Sequence, residues 1–246
     1  MVMFKAALKS DILKNIVNAI SPVSDEVKFS ITPEGMAMRA VDPTHIEMIG
    51  LDINKAAFDS FEADETEIGL ELDKVRDILK LASSGDVVTI EQDSERGKLV
   101  FKLGNITRRM NLLDTSTINA PRVPNLDFSA TIVASSQEIL KGVKASFDIS
   151  DHISLSAEGE TFELSSSGDT DSMSLVMDRS SLVSITAPSA VRSAFTIDYF
   201  FNIIKAVPSD TNVTIGLDTD KPVKISYGLA EGNGVVRYLL APRIED

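Results

Sequence analysis

The chain has 246 residues and a mass of 26.6 kDa, is 43% hydrophobic and 25% charged, and carries a formal net charge of −13 with no cysteine. That size and apolar content suit one large or two average globular cores, while zero cysteine removes disulfides, thiolate nucleophiles and cysteine zinc sites, and two histidines leave little imidazole chemistry. No run approaches the roughly 18 apolar residues of a membrane span, and Met1-Val2-Met3-Phe4-Lys5-Ala6 lacks the layout of a signal peptide, so a cytoplasmic address is expected, nucleoid-associated if the source has no nucleus.

In chain order, the first helix candidate carries Ile12, Leu13, Ile16, Val17 and Ile20 at the spacing of one buried stripe. The β-branched run Val27-Lys-Phe29-Ser-Ile31 reads as a strand, closed by a turn at Pro33-Glu34-Gly35. A second helix candidate, with Asp73 as its natural cap, ends in Ile78-Leu79-Lys80, and the turn Ser84-Gly85-Asp86 leads into strands over Val87–Ile90 and Leu99–Leu103. The segment from Asp114 to Asp127 is rich in Ser, Thr, Asn and Pro and reads as an extended linker. Ser135-Ser136-Gln137-Glu138 has the form of a capping box for a third helix bearing Ile139, Leu140, Val143 and Phe147. Asp198 caps a fourth, which holds Ile203-Ile204-Lys205. Turn signals at Glu158-Gly159-Glu160 and Glu231-Gly232-Asn233-Gly234 bound the later strands, among them Val223–Tyr227.

A tripeptide links the four helices: Ile12-Leu13-Lys14, Ile78-Leu79-Lys80, Ile139-Leu140-Lys141 and Ile203-Ile204-Lys205. Shifting the chain by 125 residues superimposes Leu72-Asp73 on Ile197-Asp198 and Val88-Thr89-Ile90 on Val213-Thr214-Ile215, and the first tripeptide falls on the third at a shift of 127. Two similar domains are therefore expected, residues 1–112 and 128–246, joined by a connector over 113–127. The order of one helix followed by several short strands implies an α+β fold with helices on one face of antiparallel sheets. Such units leave strand edges open at the ends of the protomer, and head-to-tail pairing of those edges closes a ring.

The helices carry Lys9, Lys14, Lys74, Arg76, Lys80, Lys141, Lys144 and Lys205 against fewer acids, whereas much of the acid lies in loops such as Asp59–Glu65. A basic helix layer in an acidic protein suits nucleic acid along one surface only. The repeated lysine points away from each apolar stripe, and no aromatic accompanies it, so contacts would go to phosphates without regard to base sequence. Phe29, Met36, Met38, Phe101 and Phe162 alternate with polar residues and are read as core.

Other signals are weaker. His45 and His152 each have acids nearby, which leaves a small duplicated hydrolase as an alternative. A ligand-binding α+β protein without a DNA role is a further one. Asp169-Thr-Asp171-Ser172 begins like a calcium loop, but Met173 fills the next ligand position, so no metal is assigned. Gly232-Asn-Gly234 lacks the third glycine of a dinucleotide fingerprint.

Arg39-Ala-Val-Asp42-Pro-Thr-His45-Ile46 and Leu239-Leu-Ala241-Pro242-Arg243-Ile244-Glu245, placed within this duplication, resemble the PCNA-type sliding clamps of archaea and eukaryotes, and the resemblance spans the chain. It implies the DNA clamp fold, closed as a homotrimer around duplex DNA, with Lys14, Lys74, Arg76, Lys80, Lys141, Lys144 and Lys205 on the DNA side. It implies no catalysis and no cofactor. It implies partners, namely the replicative polymerase, the clamp loader ATPase, a flap endonuclease and DNA ligase, docking through short apolar or aromatic peptide motifs. The matching groove positions are Val41, His45, Ile46, Met48, Val123, Pro124, Phe128, Pro222, Leu239, Ala241, Pro242 and Ile244. The subunit contact maps onto Arg108, Arg109 and Met110 facing Met173, Leu175 and Met177 of a neighbour, with Asp169 or Asp171 near the arginines. A paralogue subunit of a heteromeric clamp is the near alternative. Leu239 stands where some relatives carry an aromatic residue, and Asn15, Ser21, Asp77, Asp148 and Asp198 where several are basic.

Overall fold

The computed structural model describes residues 4–124 and 126–243. Contacts divide the chain into two compact units. The first comprises Met1–Pro43, Ile49–Val123 and Gly228–Val236, and the second Thr44–Met48, Pro124–Tyr227 and Arg237–Asp246.

In the first unit, strand β1 (Phe4–Lys9) runs straight into helix α1 (Ser10–Ile20). Strands β2 (Glu26–Thr32), β3 (Gly35–Val41), β4 (Glu47–Asn54), β5 (Ser60–Ala63) and β6 (Thr66–Glu71) follow, then helix α2 (Leu72–Leu79) and strands β7 (Val87–Asp93), β8 (Lys98–Leu103) and β9 (Ile106–Asn111). One sheet has the order β5-β1-β7-β8-β9, and β4, β3, β2 and β6 are successive neighbours in another. The paired registers are antiparallel. Leu13, Ile16 and Val17 of α1 and Leu72 and Val75 of α2 enclose a small apolar core with Phe29, Ile31, Ile90 and Phe101 of the strands.

The second unit repeats the pattern with β10 (Ala130–Ser135), α3 (Ser136–Ser146), β11 (His152–Gly159), β12 (Thr161–Ser167), β13 (Ser172–Met177), β14 (Ser184–Thr196), α4 (Ile197–Ala206), β15 (Asn212–Leu217) and β16 (Val223–Leu229). Its neighbours run β13-β12-β11-β14-β10-β15-β16. Strand β17 (Gly234–Leu240) lies with its first three residues in the first unit and the rest in the second. Each unit is thus α+β, with two helices over antiparallel strands, as the sequence pattern implies.

Three sequence expectations are corrected here. The helix starts have no side-chain caps: the N-cap residues Lys9, Glu71, Ser135 and Thr196 are extended and make no capping bond. Because a strand feeds directly into each helix, the first helical N–H instead reaches a carbonyl in the turn that follows the other helix of its unit. Ser10 donates to Asp86 at 2.7 Å, Leu72 to Asp25 at 2.8 Å, Ser136 to Thr211 at 3.1 Å and Ile197 to Asp151 at 3.0 Å. Ser135 stands at the N-cap but makes no capping bond, while Asp73 and Asp198 lie within the first turn, where Asp73 holds Arg76 and, in α3, Glu138 holds Lys141. Acids there still favour the positive helix end.

The tripeptide match between α1 and α3 is one position out of step. Both helices have eleven residues and start 126 apart, so Leu13 corresponds to Ile139, Ile16 to Gly142 and Val17 to Val143, all buried. Lys14 therefore stands at the position of Leu140, not Lys141. Burial sets helix register, and a repeated word of sequence does not. Finally, Met36 is half-buried while Phe29, Met38, Phe101 and Phe162 are core, because Met36 lines an open groove beside Glu34 and Asp52.

The connector starts tied to the first unit: Leu113 N–H donates to Gly69 O at 2.8 Å, and Asp114 caps a 3-10 turn over Thr115–Thr117 through Ser116. Residues 118–124 have no regular structure.

Candidate nucleic-acid and partner surfaces

The cations of the helix layer differ in their freedom. Lys80, Lys141, Lys144 and Lys205 are exposed, and Lys14, Lys74 and Arg76 half-buried. Lys14 does not stand free: its ammonium donates to Ala82 O at 2.8 Å, beyond the end of α2. Lys74 pairs with Glu71, Arg76 with Asp73, Lys80 with Asp77 and Lys141 with Glu138, each three residues back. Exposed pairs of this spacing are worth only about 0.2–0.5 kcal/mol, so a phosphate competes with them readily. Between α1 and α2 lies an open groove of about 370 Å³, lined by Lys14, Asn18, Arg76 and Lys80 over Val17 and Leu79.

An aromatic does accompany a lysine, contrary to the sequence reading. In the second unit Phe147, closing α3, meets Phe201 of α4 edge-on at 4.8 Å, and Lys205 Nζ lies 5.5 Å from the Phe201 ring centre. Both rings are half-buried. The signal was present as the spacing of four between Phe201 and Lys205 on one helix face.

The residues of the expected peptide groove fall in both units. Val41 and Val123 belong to the first and are half-buried. In the second, the backbone of Ala241 donates to Ile46 O at 2.9 Å, which joins the segment Thr44–Met48 to the segment after β17, and Arg243 N–H donates to Ala194 O at 2.7 Å. Thr44 and Tyr199 share a hydroxyl contact at 3.0 Å, and His45 is exposed with φ of +60°. Phe128 is half-buried, with Lys224 Nζ 4.9 Å from its ring centre. Ile46, Met48, Pro222, Ala241 and Pro242 are half-buried, Pro124 is exposed and Leu239 is buried. Ile244 lies outside the described residues. Half-exposed apolar side chains of this kind suit an apolar peptide.

Strands β9 and β13 end their sheets and carry an open ladder edge. On β9, Ile106 is 45% exposed, and on β13 Val176 is 60% exposed. Met110 and Met177 are buried within their own units, Arg109 is exposed, and Arg108, Met173 and Leu175 are half-buried. Arg108 has an acid within its own unit, Asp77 at 3.8 Å. The edges thus offer backbone and a few apolar side chains, with the methionines holding the strands to their cores.

The neighbours of His152 are not arranged as a serine relay. Ser150 Oγ and Asp151 Oδ1 both approach the same ring nitrogen of His152, Nδ1, at 2.9 and 3.0 Å. A serine relay needs its acid and its nucleophile on opposite ring nitrogens. Asp151 is instead committed to Arg243, whose Nη1 donates to Oδ2 at 2.7 Å, and that bond with the one from His152 holds its carboxyl down to about 2. Among the described residues there is no cluster of three or more His, Cys, Asp or Glu side chains able to hold a metal, and no helix is long and apolar enough to cross a membrane.

Each unit is a pair of helices over antiparallel strands, the pattern is duplicated along the chain, and β9 and β13 leave strand edges open. The proliferating cell nuclear antigen N-terminal domain model matches residues 3–118 and the C-terminal domain model residues 122–243. The chain is 43% identical over 244 residues to a DNA polymerase sliding clamp of Methanococcoides burtonii and 41% identical to one of Methanocella arvoryzae, covering 99% of both chains in each case. Its fold matches A. fulgidus PCNA, solved with the C-terminal region of FEN-1 bound, with a TM-score of 0.93 at 32% identity over 99% of this chain and 100% of that one. The chain belongs to the proliferating cell nuclear antigen family.

Proposed function

We propose that this protein is a DNA sliding clamp: a homotrimeric ring that encircles duplex DNA, raises polymerase processivity and tethers replication and repair proteins without catalysing a reaction itself. Family membership over both halves, at 43% identity to a relative named a DNA polymerase sliding clamp, is the observation that carries this reading. The clamp domains span 1–112 and 128–246, with 113–127 as the connector. The open edges of β9 and β13 pair between neighbours, through Ile106, Arg108 and Arg109 on one side and Met173, Leu175 and Val176 on the other.

Lys14, Lys74, Arg76, Lys80, Lys141, Lys144 and Lys205 face the duplex. The carboxylates paired with Lys74, Arg76, Lys80 and Lys141 keep those contacts weak, which suits a ring that topology retains and that must slide. A chain of net charge −13 gains little from DNA elsewhere on its surface. Partner peptides dock on Val41, His45, Ile46, Met48, Val123, Pro124, Phe128, Pro222, Leu239, Ala241, Pro242 and Ile244. A flap endonuclease C-terminus is the occupant suggested by the A. fulgidus complex, and the polymerase, clamp loader and ligase are expected to use the same groove.

Light scattering and DNA retention test the reading together. A solution mass three times 26.6 kDa, with rings held on closed circular DNA and lost after linearisation, supports it. A monomer at every concentration, or equal loss from circular and linear DNA, overturns the self-closing ring.

A further inference from the structure

Within the second unit, the passage from β14 into α4 holds both of the segments that carry groove positions there. One segment, Thr44–Met48, contains His45, Ile46 and Met48, and the other, after β17, contains Ala241 and Pro242. Tyr199, in the first turn of α4, shares its hydroxyl contact of 3.0 Å with Thr44. Arg243 N–H donates to Ala194 O at 2.7 Å, making an isolated antiparallel bridge near the end of β14. The two segments are joined to each other by Ala241 N–H on Ile46 O at 2.9 Å. Asp151, in the turn between α3 and β11, closes this circuit with both ends of the residue. Its backbone carbonyl accepts the Ile197 N–H at 3.0 Å, and its carboxylate Oδ2 accepts from Arg243 Nη1 at 2.7 Å. The other carboxylate oxygen lies 3.0 Å from His152 Nδ1, which is itself 2.9 Å from Ser150 Oγ.

We infer that Asp151 is a positioning residue for partner binding: through Arg243 it fixes the segment that presents Ala241 and Pro242 to the peptide, without touching the peptide itself. This rests on the reading of Ala241 and Pro242 as groove positions. Pro242 has no N–H to donate, so its place is set by the bonds of its two neighbours. Ala241 and Arg243 each contribute one backbone bond, and a segment held by two such bonds opens readily unless a side chain ties it down. The charge-assisted bond from Arg243 to Asp151 is that tie, and the contact of Oδ1 with His152 keeps the carboxylate aimed. Both partners are substantially exposed, at 45% and 73%, so the pair adds little to global stability and acts on local order instead. A groove wall already in place spares the peptide the cost of ordering it, which is where the affinity is gained. Because Asp151 O receives the start of α4 while Tyr199 of α4 meets Thr44, both segments take their position from one rigid element.

The experiment uses the intact protein and a synthetic peptide of the FEN-1 C-terminal region, with affinity read by calorimetry and local order by amide hydrogen exchange. Asp151→Asn keeps the backbone carbonyl and a side-chain acceptor but removes the charge. It is expected to weaken peptide binding about three- to tenfold and to speed exchange at Ala241 and Arg243, while the core amide of Ile215 in β15 and the solution mass stay as in the parent. Arg243→Gln should lose as much, Arg243→Lys should retain most of the affinity, and Asp151→Asn with Arg243→Gln should lose no more than either alone. Parent-like affinity in both Asp151→Asn and Arg243→Gln overturns the positioning role and spares the groove. So do losses that add in the double variant, or faster exchange spread through the core of the unit, which would mark a general loss of structure. No peptide binding by the parent protein overturns the groove reading and this inference with it.

Discussion

The ring of Phe128 lies so close to the backbone of Gly216 that a Cβ added there would stand 2.9 Å from two of its ring carbons. Gly216 sits in β15, and only the missing side chain lets the first aromatic after the connector settle against that strand. Gly216→Ala should push the ring outward. The expected result is a several-fold loss of affinity for a flap endonuclease C-terminal peptide, read by calorimetry, and a smaller effect on thermal unfolding. Unchanged peptide affinity in both Gly216→Ala and Phe128→Ala would remove Phe128 from the groove.

Ile106 and Val176 are exposed apolar side chains on the open edges of β9 and β13. Placing carboxylates there should block edge pairing by desolvation and like-charge cost while leaving each core intact. Ile106→Glu combined with Val176→Glu is expected to reduce the solution mass from three times 26.6 kDa to one, without change in the circular dichroism spectrum. A persistent trimer would place the subunit contact elsewhere.

Asp151, whose backbone carbonyl receives the first N–H of α4, is tied by its carboxylate to Arg243 in the C-terminal segment. Its carboxyl is lowered to about 2, first by the Arg243 bond and then by His152. A depressed folded-state value gives stability that is present above the ordinary aspartate range near 4 and is lost as pH falls through about 2. Arg243→Ala should therefore lower stability at pH 7 and make little difference at pH 2. Carboxyl-carbon NMR should show the Asp151 midpoint moving up toward 4; a midpoint that stays near 2 would assign the shift to His152 alone.

Phe162 is fully buried in β12, directly across from Met177 of β13. Phe162→Ala should cost about 3–5 kcal/mol in chemical unfolding through the cavity it leaves. Because β12 is the partner that holds β13, the same change should weaken assembly, seen as a concentration-dependent mass. A loss below about 1 kcal/mol would mean the core collapses around the gap.

The expectation of two α+β halves follows from local chemistry. Apolar residues at helical spacing around Leu13 and Ile203, and β-branched alternation around Phe29 and Val223, each report the face a segment must bury, and duplication repeats that report. The helix starts were misread because Asp73 and Ser135 have capping chemistry, yet the strands deliver their helices to remote carbonyls that no neighbouring residue reveals. That histidine is scarce was legible in composition, but the placement of Ser150 and Asp151 on one nitrogen of His152 was not.

What the sequence by itself determined is the face each element buries and its periodicity, since that is a property of spacing along one element, though not the depth of every residue, as half-buried Ile12, Met36 and Leu140 show. Which cation stands free, and which lies fixed across a groove, was decided only when two helices approached each other. Lys14 and Lys141 end the same tripeptide, but one reaches the carbonyl of Ala82, sixty-eight positions away, and the other stands exposed beside Glu138. The free energy of a long polar side chain depends on what comes within 3 Å of its tip, and that is set by packing between elements.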